Sequence, residues 1–188
     1  MSHRSTTQLT RAALIAAMYI VVTTIPPFNA ISYGAIQFRL GEALVLLPFV
    51  MDEAVVGVAV GCLIANMFSP FGLIDLIVGT GVTLAAALLT RKLRTTGKLW
   101  LAALPPIVLN AVIIPVYVSA LTLPEASSLQ LGQSLMASIR FVATHVTLGV
   151  YIPVALTVLA GEAAVVILVG LPVLALVRRN MNSLKEVS

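Results

Sequence analysis

Glu162 stands inside an apolar run from Tyr151 to Val177, with no lysine or arginine within eight positions of it. An ionised side chain at mid-bilayer costs about 2.5–3.5 kcal/mol on insertion scales, so this carboxylate needs a donor from another segment or from a bound solute. Asn110, inside the run from Leu99 to Leu121, needs a partner for the same reason. Further polar groups sit where apolar runs begin or end: Gln37, Arg39 and Glu42 open one run, Asn66 closes the next, Asp75 opens another, and Tyr117 lies near the end of a fifth. Carboxylates, amides, a guanidinium and a phenol can bind a polar solute through hydrogen bonds. Catalysis is poorly supported. The chain has two histidines and one cysteine, Cys62, and contains no HExxH, CxxC or G-x-S-x-G. Gly97-Lys98 is followed by Leu99 and lacks the upstream glycine of a phosphate-binding loop. The expectation is a binding protein with no metal and no cofactor of its own.

The elements that position these residues follow from composition. Of 188 residues, 60% are hydrophobic and 10% charged, and the mean hydropathy is +1.07. A water-soluble domain carries about 25% charged residues, so that class is excluded. A β-barrel would alternate apolar and polar residues in segments of about 10, whereas here apolar residues run unbroken, as from Ala54 to Met67. The chain therefore reads as an all-α integral membrane protein forming one domain over 1–188, with helices at about 9–25, 38–51, 54–68, 73–90, 99–121 and 151–177. The second run is short for a crossing and must be tilted, incomplete or surrounded by protein. Residues 122–150 read as an extracellular loop or a partly inserted helix, because Arg140 and His145 interrupt its apolar spacing.

Net charge +4 comes from basic residues clustered at the ends of apolar runs, which encodes orientation rather than nucleic-acid binding. With six crossings, Arg4, Arg11, Arg91, Lys92, Arg94, Lys98, Arg178, Arg179 and Lys185 share one side, leaving Arg39 and Arg140 opposite. Both termini are then cytoplasmic. On that topology Gln37, Arg39, Glu42, Asn66, Asp75 and Tyr117 fall in the outer half of the bundle, and Asn110 and Glu162 face the same polar interior. The pattern describes an outward-facing solute pocket.

Several of these residues fit a structural role equally well. Arg39 and Glu42, three apart, suit an intrahelical ion pair. Asn66 suits a helix end that bonds its own backbone. Asp75 suits an N-terminal cap, and Asn110 and His145 suit bonds between helices.

The runs Ile36-Gln37-Phe38-Arg39-Leu40-Gly41-Glu42-Ala43-Leu44, Leu47-Pro48-Phe49, Gly61-Cys62-Leu63-Ile64-Ala65-Asn66, Gly72-Leu73-Ile74-Asp75 and Thr83-Leu84-Ala85-Ala86 together resemble the QueT family. Pro105-Pro106, Asn110-Ala111, Gly161-Glu162 and Gly170-Leu171-Pro172 resemble its later blocks, and the likeness extends from about Ala12 to Val177. The stretch Thr122 to Val150 is longer than the family pattern. The resemblance implies a substrate-binding S-component of an energy-coupling-factor (ECF) transporter, a multi-pass protein of a prokaryotic plasma membrane. It implies a six-helix fold that captures a queuosine precursor, a deazaguanine base or queuine, and docks on a transmembrane coupling protein with two cytoplasmic ATPases that consume the ATP.

On that resemblance Ala12-x-x-x-Ala16 and Ala13-x-x-x-Ala17 form the small-residue face for docking. Glu162 or Asp75 meets the donor edge of the base, and Gln37, Arg39 or Asn66 its carbonyl. Tyr33, Phe38 or Tyr117 stacks on the rings. An aminomethyl precursor would add an ammonium that wants a second carboxylate. The rivals are another purine-like or vitamin-like solute, an ion-coupled carrier, or a membrane enzyme. A carrier would need internal repeats, and an enzyme a clustered acid–base set; the sequence offers neither.

Overall fold

In a chain this apolar the backbone has little water to bond, and helices satisfy its donors and acceptors within one segment. The computed structural model describes residues 3–32, 37–127 and 134–186, and every regular element among them is helical. The principal ones are α1 (His3–Thr24), a central helix (Leu40–Phe49), α2 (Ala54–Asn66), α3 (Thr80–Leu93), α4 (Leu104–Leu121), α5 (Leu135–His145), α6 (Leu148–Val165) and α7 (Leu171–Glu186). A π turn, Asp75–Gly79, leads into α3, and a second, Val166–Gly170, joins α6 to α7 in one rod. Four segments are long and apolar enough to cross a membrane: Thr6–Thr24, Asp75–Thr96, Leu99–Leu121 and Leu148–Met181. Leu40–Phe49 and Ala54–Asn66 are shorter apolar helices. The span expected at 54–68 is thus a helix of 13 residues, about 20 Å long at 1.5 Å per residue.

The central helix shows how a short run is stretched. It is wound as a 3-10 helix over all ten residues, and at about 2 Å per residue it spans about 20 Å, where an α-helix would span about 15 Å. Gly41 through Phe49 are all buried, so its surroundings are protein rather than lipid. With three residues per turn its side chains form three rows. Gly41, Leu44 and Leu47 face α1 and α2: Leu44 and Leu47 share a core with Ile15, Tyr19 and Val55. Leu46 and Phe49 pack with Ala102, Ala103, Val166 and Leu174. The row Arg39, Glu42, Val45 and Pro48 runs toward α3. Arg39 reaches Asp75, Glu42 reaches Thr83, Val45 shares a core with Ala86 and Ala87, and the Pro48 carbonyl accepts from Arg94.

Arg94 closes the far end of this helix by donating to the Pro48 and Phe49 carbonyls at 2.7 and 2.8 Å and pairing with Asp52 at 3.2 Å. The last carbonyls of a helix have no partner inside it, and an arginine supplies one. Arg11 pairs with Glu53 at 3.2 Å, and Arg178 donates to the Gly97 carbonyl at 3.1 Å. This end of the bundle is therefore the basic end, and the Asp75 side chain lies toward the other.

α1 packs along α2 by matching small residues. A Cβ on Gly57 would stand 2.7 Å from the Ala12 carbonyl, and one on Gly61 would stand 3.0 Å from the Ala16 carbonyl. Ala12 and Ala16 are buried there, whereas Ala13 and Ala17 are exposed. The two overlapping small-residue stripes are thus divided, one inside the protein and one on its surface. Beside the contact a groove of about 190 Å³ is lined only by Leu9, Ala12, Ala13, Ala16, Val56, Gly57 and Val60.

The packing around the central helix can be tested with two glycines. A Cβ on Gly41 would lie 2.6 Å from the Thr23 hydroxyl and 2.9 Å from the Tyr19 ring, while one on Gly81 meets nothing within 4 Å. Gly41→Ala should cost about 1–3 kcal/mol as overpacking, whereas Gly81→Ala should be neutral or stabilising by up to about 1 kcal/mol. Thermal unfolding in detergent distinguishes them; equal midpoints would refute the tight contact.

Candidate functional site

Two hydrogen-bonded layers cross the bundle. The first is centred on Asp75, which is fully buried at the start of the π turn before α3. Its Oδ2 pairs with Arg39 Nη2 at 2.9 Å and accepts from the Ser69 hydroxyl at 2.5 Å. Its Oδ1 accepts from the Tyr117 hydroxyl. Tyr117 is held in turn by the edge of Phe71, with ring centroids 6.3 Å apart, and the Phe71 amide donates to Ser69 Oγ at 3.2 Å. Gly79 is needed here because a Cβ at that position would run into Asp75 Oδ1. The layer joins the start of the central helix, the turn after α2, the π turn and the end of α4, and its one carboxylate is neutralised by its one cation.

The second layer lies roughly 10 Å further along α3, judged from the spacing of Asp75 and Thr83. Its centre is Glu42, whose Oε1 accepts from the Tyr19 hydroxyl at 2.5 Å and from Thr83 Oγ1 at 3.1 Å. The Asn110 amide nitrogen lies 3.4 Å from Glu42 Oε2 and 3.1 Å from Glu162 Oε1, so one amide bridges two carboxylates. Among the described residues this bond to Asn110 is the one hydrogen bond Glu162 receives, and Glu162 is 4% exposed. Gly161 lets its helix approach closely, since a Cβ there would collide with the Gln37 carbonyl.

Asn66 connects the layers. Its amide donates to the Asp75 backbone carbonyl at 3.1 Å and lies 3.3 Å from both Cys62 Sγ and Thr80 Oγ1. Cys62 donates to Thr83 at 3.3 Å, completing a polar line along α2 and α3.

Arg39, Asp75 and Tyr117 thus come together in one layer, Glu42, Asn110 and Glu162 in the other, with Asn66 between. Gln37 is buried and packs its backbone on Gly161, but its side chain joins neither hydrogen-bonded cluster. Tyr33 lies outside the described residues. The local alternatives give way to longer contacts. Arg39 turns to Asp75 rather than Glu42, whose oxygens are taken by Tyr19, Thr83 and Asn110. Asp75 accepts from three side chains and caps no helix. Asn66 bonds across the turn. His145 stays within its own helix, with Nδ1 3.0 Å from the Phe141 carbonyl and its ring stacked on Phe141 at 3.9 Å. Tyr19, Ser69 and Thr83 are the site residues that sequence reasoning missed. Tyr19 carried a signal, as a phenol in the middle of the first apolar run; the two hydroxyls carried none, because Ser and Thr are common in membrane helices. Among the described residues no group of three or more His, Cys, Asp and Glu could hold a metal ion.

These bonds tie several segments together through Asp75. Asp75→Asn leaves Arg39 buried beside a neutral amide, and removing one partner of a buried pair costs about 3–5 kcal/mol. Thermal unfolding of the purified variant should show a loss of that order, and an unchanged midpoint would show that the pair contributes no net stability.

The chain can now be compared with known proteins. The sequence profile of the QueT transporter family matches residues 9–179. A stretch of 79 residues is 39% identical to the queuosine precursor transporter QueT of Lactococcus lactis subsp. cremoris (strain MG1363), covering 42% of this chain and 46% of that protein. The match therefore spans about half the length of that relative. No solved structure matches. A family of transporters agrees with a buried polar site carried by apolar helices of membrane-crossing length; the chain is a membrane protein belonging to the QueT transporter family.

Proposed function

We propose that this chain is the substrate-binding S-component of an ECF importer, taking up a queuosine precursor, a deazaguanine base or queuine, across a prokaryotic plasma membrane. In this reading the chain is a single domain, 1–188, that crosses six times with both termini cytoplasmic. The basic end carrying Arg11, Arg94 and Arg178 is the inner side. A coupling membrane protein and two cytoplasmic ATPases complete the transporter, and ATP is hydrolysed by those partners. The observation that carries the binding role is Glu162, a buried carboxylate with a single hydrogen bond from a neutral amide. Such a group has acceptor capacity for the two adjacent N–H donors of a deazaguanine edge. Asp75, already holding Arg39, Ser69 and Tyr117, is the anchor of the layer above it. The named function of the Lactococcus relative supports the same ligand class.

The purified chain should bind a deazaguanine base without ATP, and Glu162→Gln should weaken binding by about 2–4 kcal/mol, roughly 30- to 800-fold. Calorimetry decides the matter. Unchanged affinity in a folded, monodisperse variant would remove Glu162 from the site.

Docking on the coupling protein falls to Ala13 and Ala17, the exposed stripe of α1, because Ala12 and Ala16 are engaged with α2. Replacing Ala13 and Ala17 by Leu should leave ligand binding intact and abolish ATP-driven uptake in vesicles holding the complete transporter. Uptake at the wild-type rate would exclude this face.

A further inference from the structure

The basic end of the bundle divides into two parts. Beside α1 and the central helix its charges are balanced, since Arg11 pairs with Glu53 and Arg94 with Asp52. The other part is built from the end of α3, the Gly97 turn, a short 3-10 helix (Leu99–Ala103) and α7. It carries Arg91, Lys92, Lys98, Arg178 and Arg179, and none of the five pairs with a carboxylate among the described residues.

Packing brings three of these cations to one turn. Leu174 of α7 is fully buried in a core with Ala102 and Ala103. Arg178, four residues on, lies on the same face of α7, and its Nη1 donates to the Gly97 carbonyl at 3.1 Å. That bond uses one of the five N–H donors of a guanidinium. Arg178 therefore keeps donors to spare, next to Arg179 on its own helix and beside Lys98 on the turn, both of which are exposed. Arg91 and Lys92 stand apart. The face of α3 toward Leu99–Ala103 is marked by Thr90, whose hydroxyl donates to the Ala102 carbonyl at 3.2 Å, and helical winding turns Arg91 and Lys92 about 100° and 200° away from it.

Two residues past Lys98 is Trp100, the chain's one tryptophan, 57% exposed. Apolar segments of membrane-crossing length end at Thr96 and Met181, and another begins at Leu99. The turn thus lies where hydrocarbon gives way to headgroups, a level that favours an indole and at which cations are drawn to anionic lipid. Any counter-ion would answer the charge alone. An exposed indole beside three cations fits an amphiphile with an anionic head and apolar tails.

We propose that Lys98, Arg178 and Arg179 form a binding site for the phosphate of an anionic phospholipid, with Trp100 against the first part of its acyl chains. A zwitterionic phospholipid offers the same phosphate but carries its own cation into a cluster of cations, so the site selects by net headgroup charge. It does not depend on what the polar layers inside the bundle bind.

Trp100 is the reporter for the test. The purified chain is reconstituted in phosphatidylcholine bilayers holding a minor share of either phosphatidylglycerol or phosphatidylcholine brominated near the headgroup end of its acyl chains, and quenching of tryptophan fluorescence reads which lipid sits beside the indole. Brominated phosphatidylglycerol should quench as though bound at least about 5-fold more tightly than brominated phosphatidylcholine. Lys98→Gln combined with Arg179→Gln, at two exposed positions, should bring that ratio toward one. Arg91→Gln combined with Lys92→Gln removes the same charge and should keep most of the preference. Equal quenching by the two lipids in the wild-type chain overturns the inference and leaves this face to an acidic protein partner. Equal loss in both double variants also overturns it, because the preference then belongs to the basic end at large.

Discussion

A helix enclosed by protein on every side can carry a charged group only if a neighbouring helix supplies its partner. The central helix, Leu40–Phe49, is buried along nearly its whole length and begins with Arg39 and Glu42. That constraint organises the bundle. Arg39 requires Asp75 from the π turn, Asp75 draws in Ser69 and Tyr117, and Glu42 draws in Tyr19, Thr83 and Asn110. Each bond adds another segment, until α1, the turn after α2, α3, α4 and α6 are all tied to one ten-residue helix. Hydrophobic packing between helices surrounded by lipid gives little directional preference, so buried polar contacts of this kind, with close small-residue packing, set which faces meet.

The two layers differ in how complete they are. Around Asp75 charge and hydrogen bonds both balance, which is the arrangement expected of a structural joint. Around Glu42 and Glu162 one amide bridges two carboxylates, and the other donors, the Tyr19 phenol and the Thr83 hydroxyl, are neutral.

Much of this was legible in the sequence, and the reasons differ by residue. Glu162 and Asn110 stood out because apolar surroundings make any polar group conspicuous, and the helices at 99–121 and 151–177 followed from unbroken hydropathy. The shortness of the second run was visible too, with its possible causes still open; the structure assigns it to burial combined with 3-10 winding. That winding was not legible, since Leu40–Phe49 has the composition of an ordinary apolar helix. Nor were the π turns at Asp75–Gly79 and Val166–Gly170, whose extra residue leaves no mark on periodicity over so short a stretch. The partner of Arg39 was hidden for another reason. Spacing within a helix favoured Glu42, and only the tertiary fold reveals that Glu42 is occupied by Tyr19, Thr83 and Asn110 and that Arg39 pairs with Asp75, 36 residues on.

The central helix also constrains how the protein is made. Charged residues cost up to about 2.5–3.5 kcal/mol each at mid-membrane, and this segment emerges from synthesis with two of them. Tyr19, 23 residues earlier, already exists and can bond Glu42 at once. Asp75 follows Arg39 by 36 residues, Thr83 follows Glu42 by 41, and Asn110 follows it by 68. The buried setting of this segment is therefore complete only once more than half the chain exists, and its burial is an assembly step shared with helices made after it.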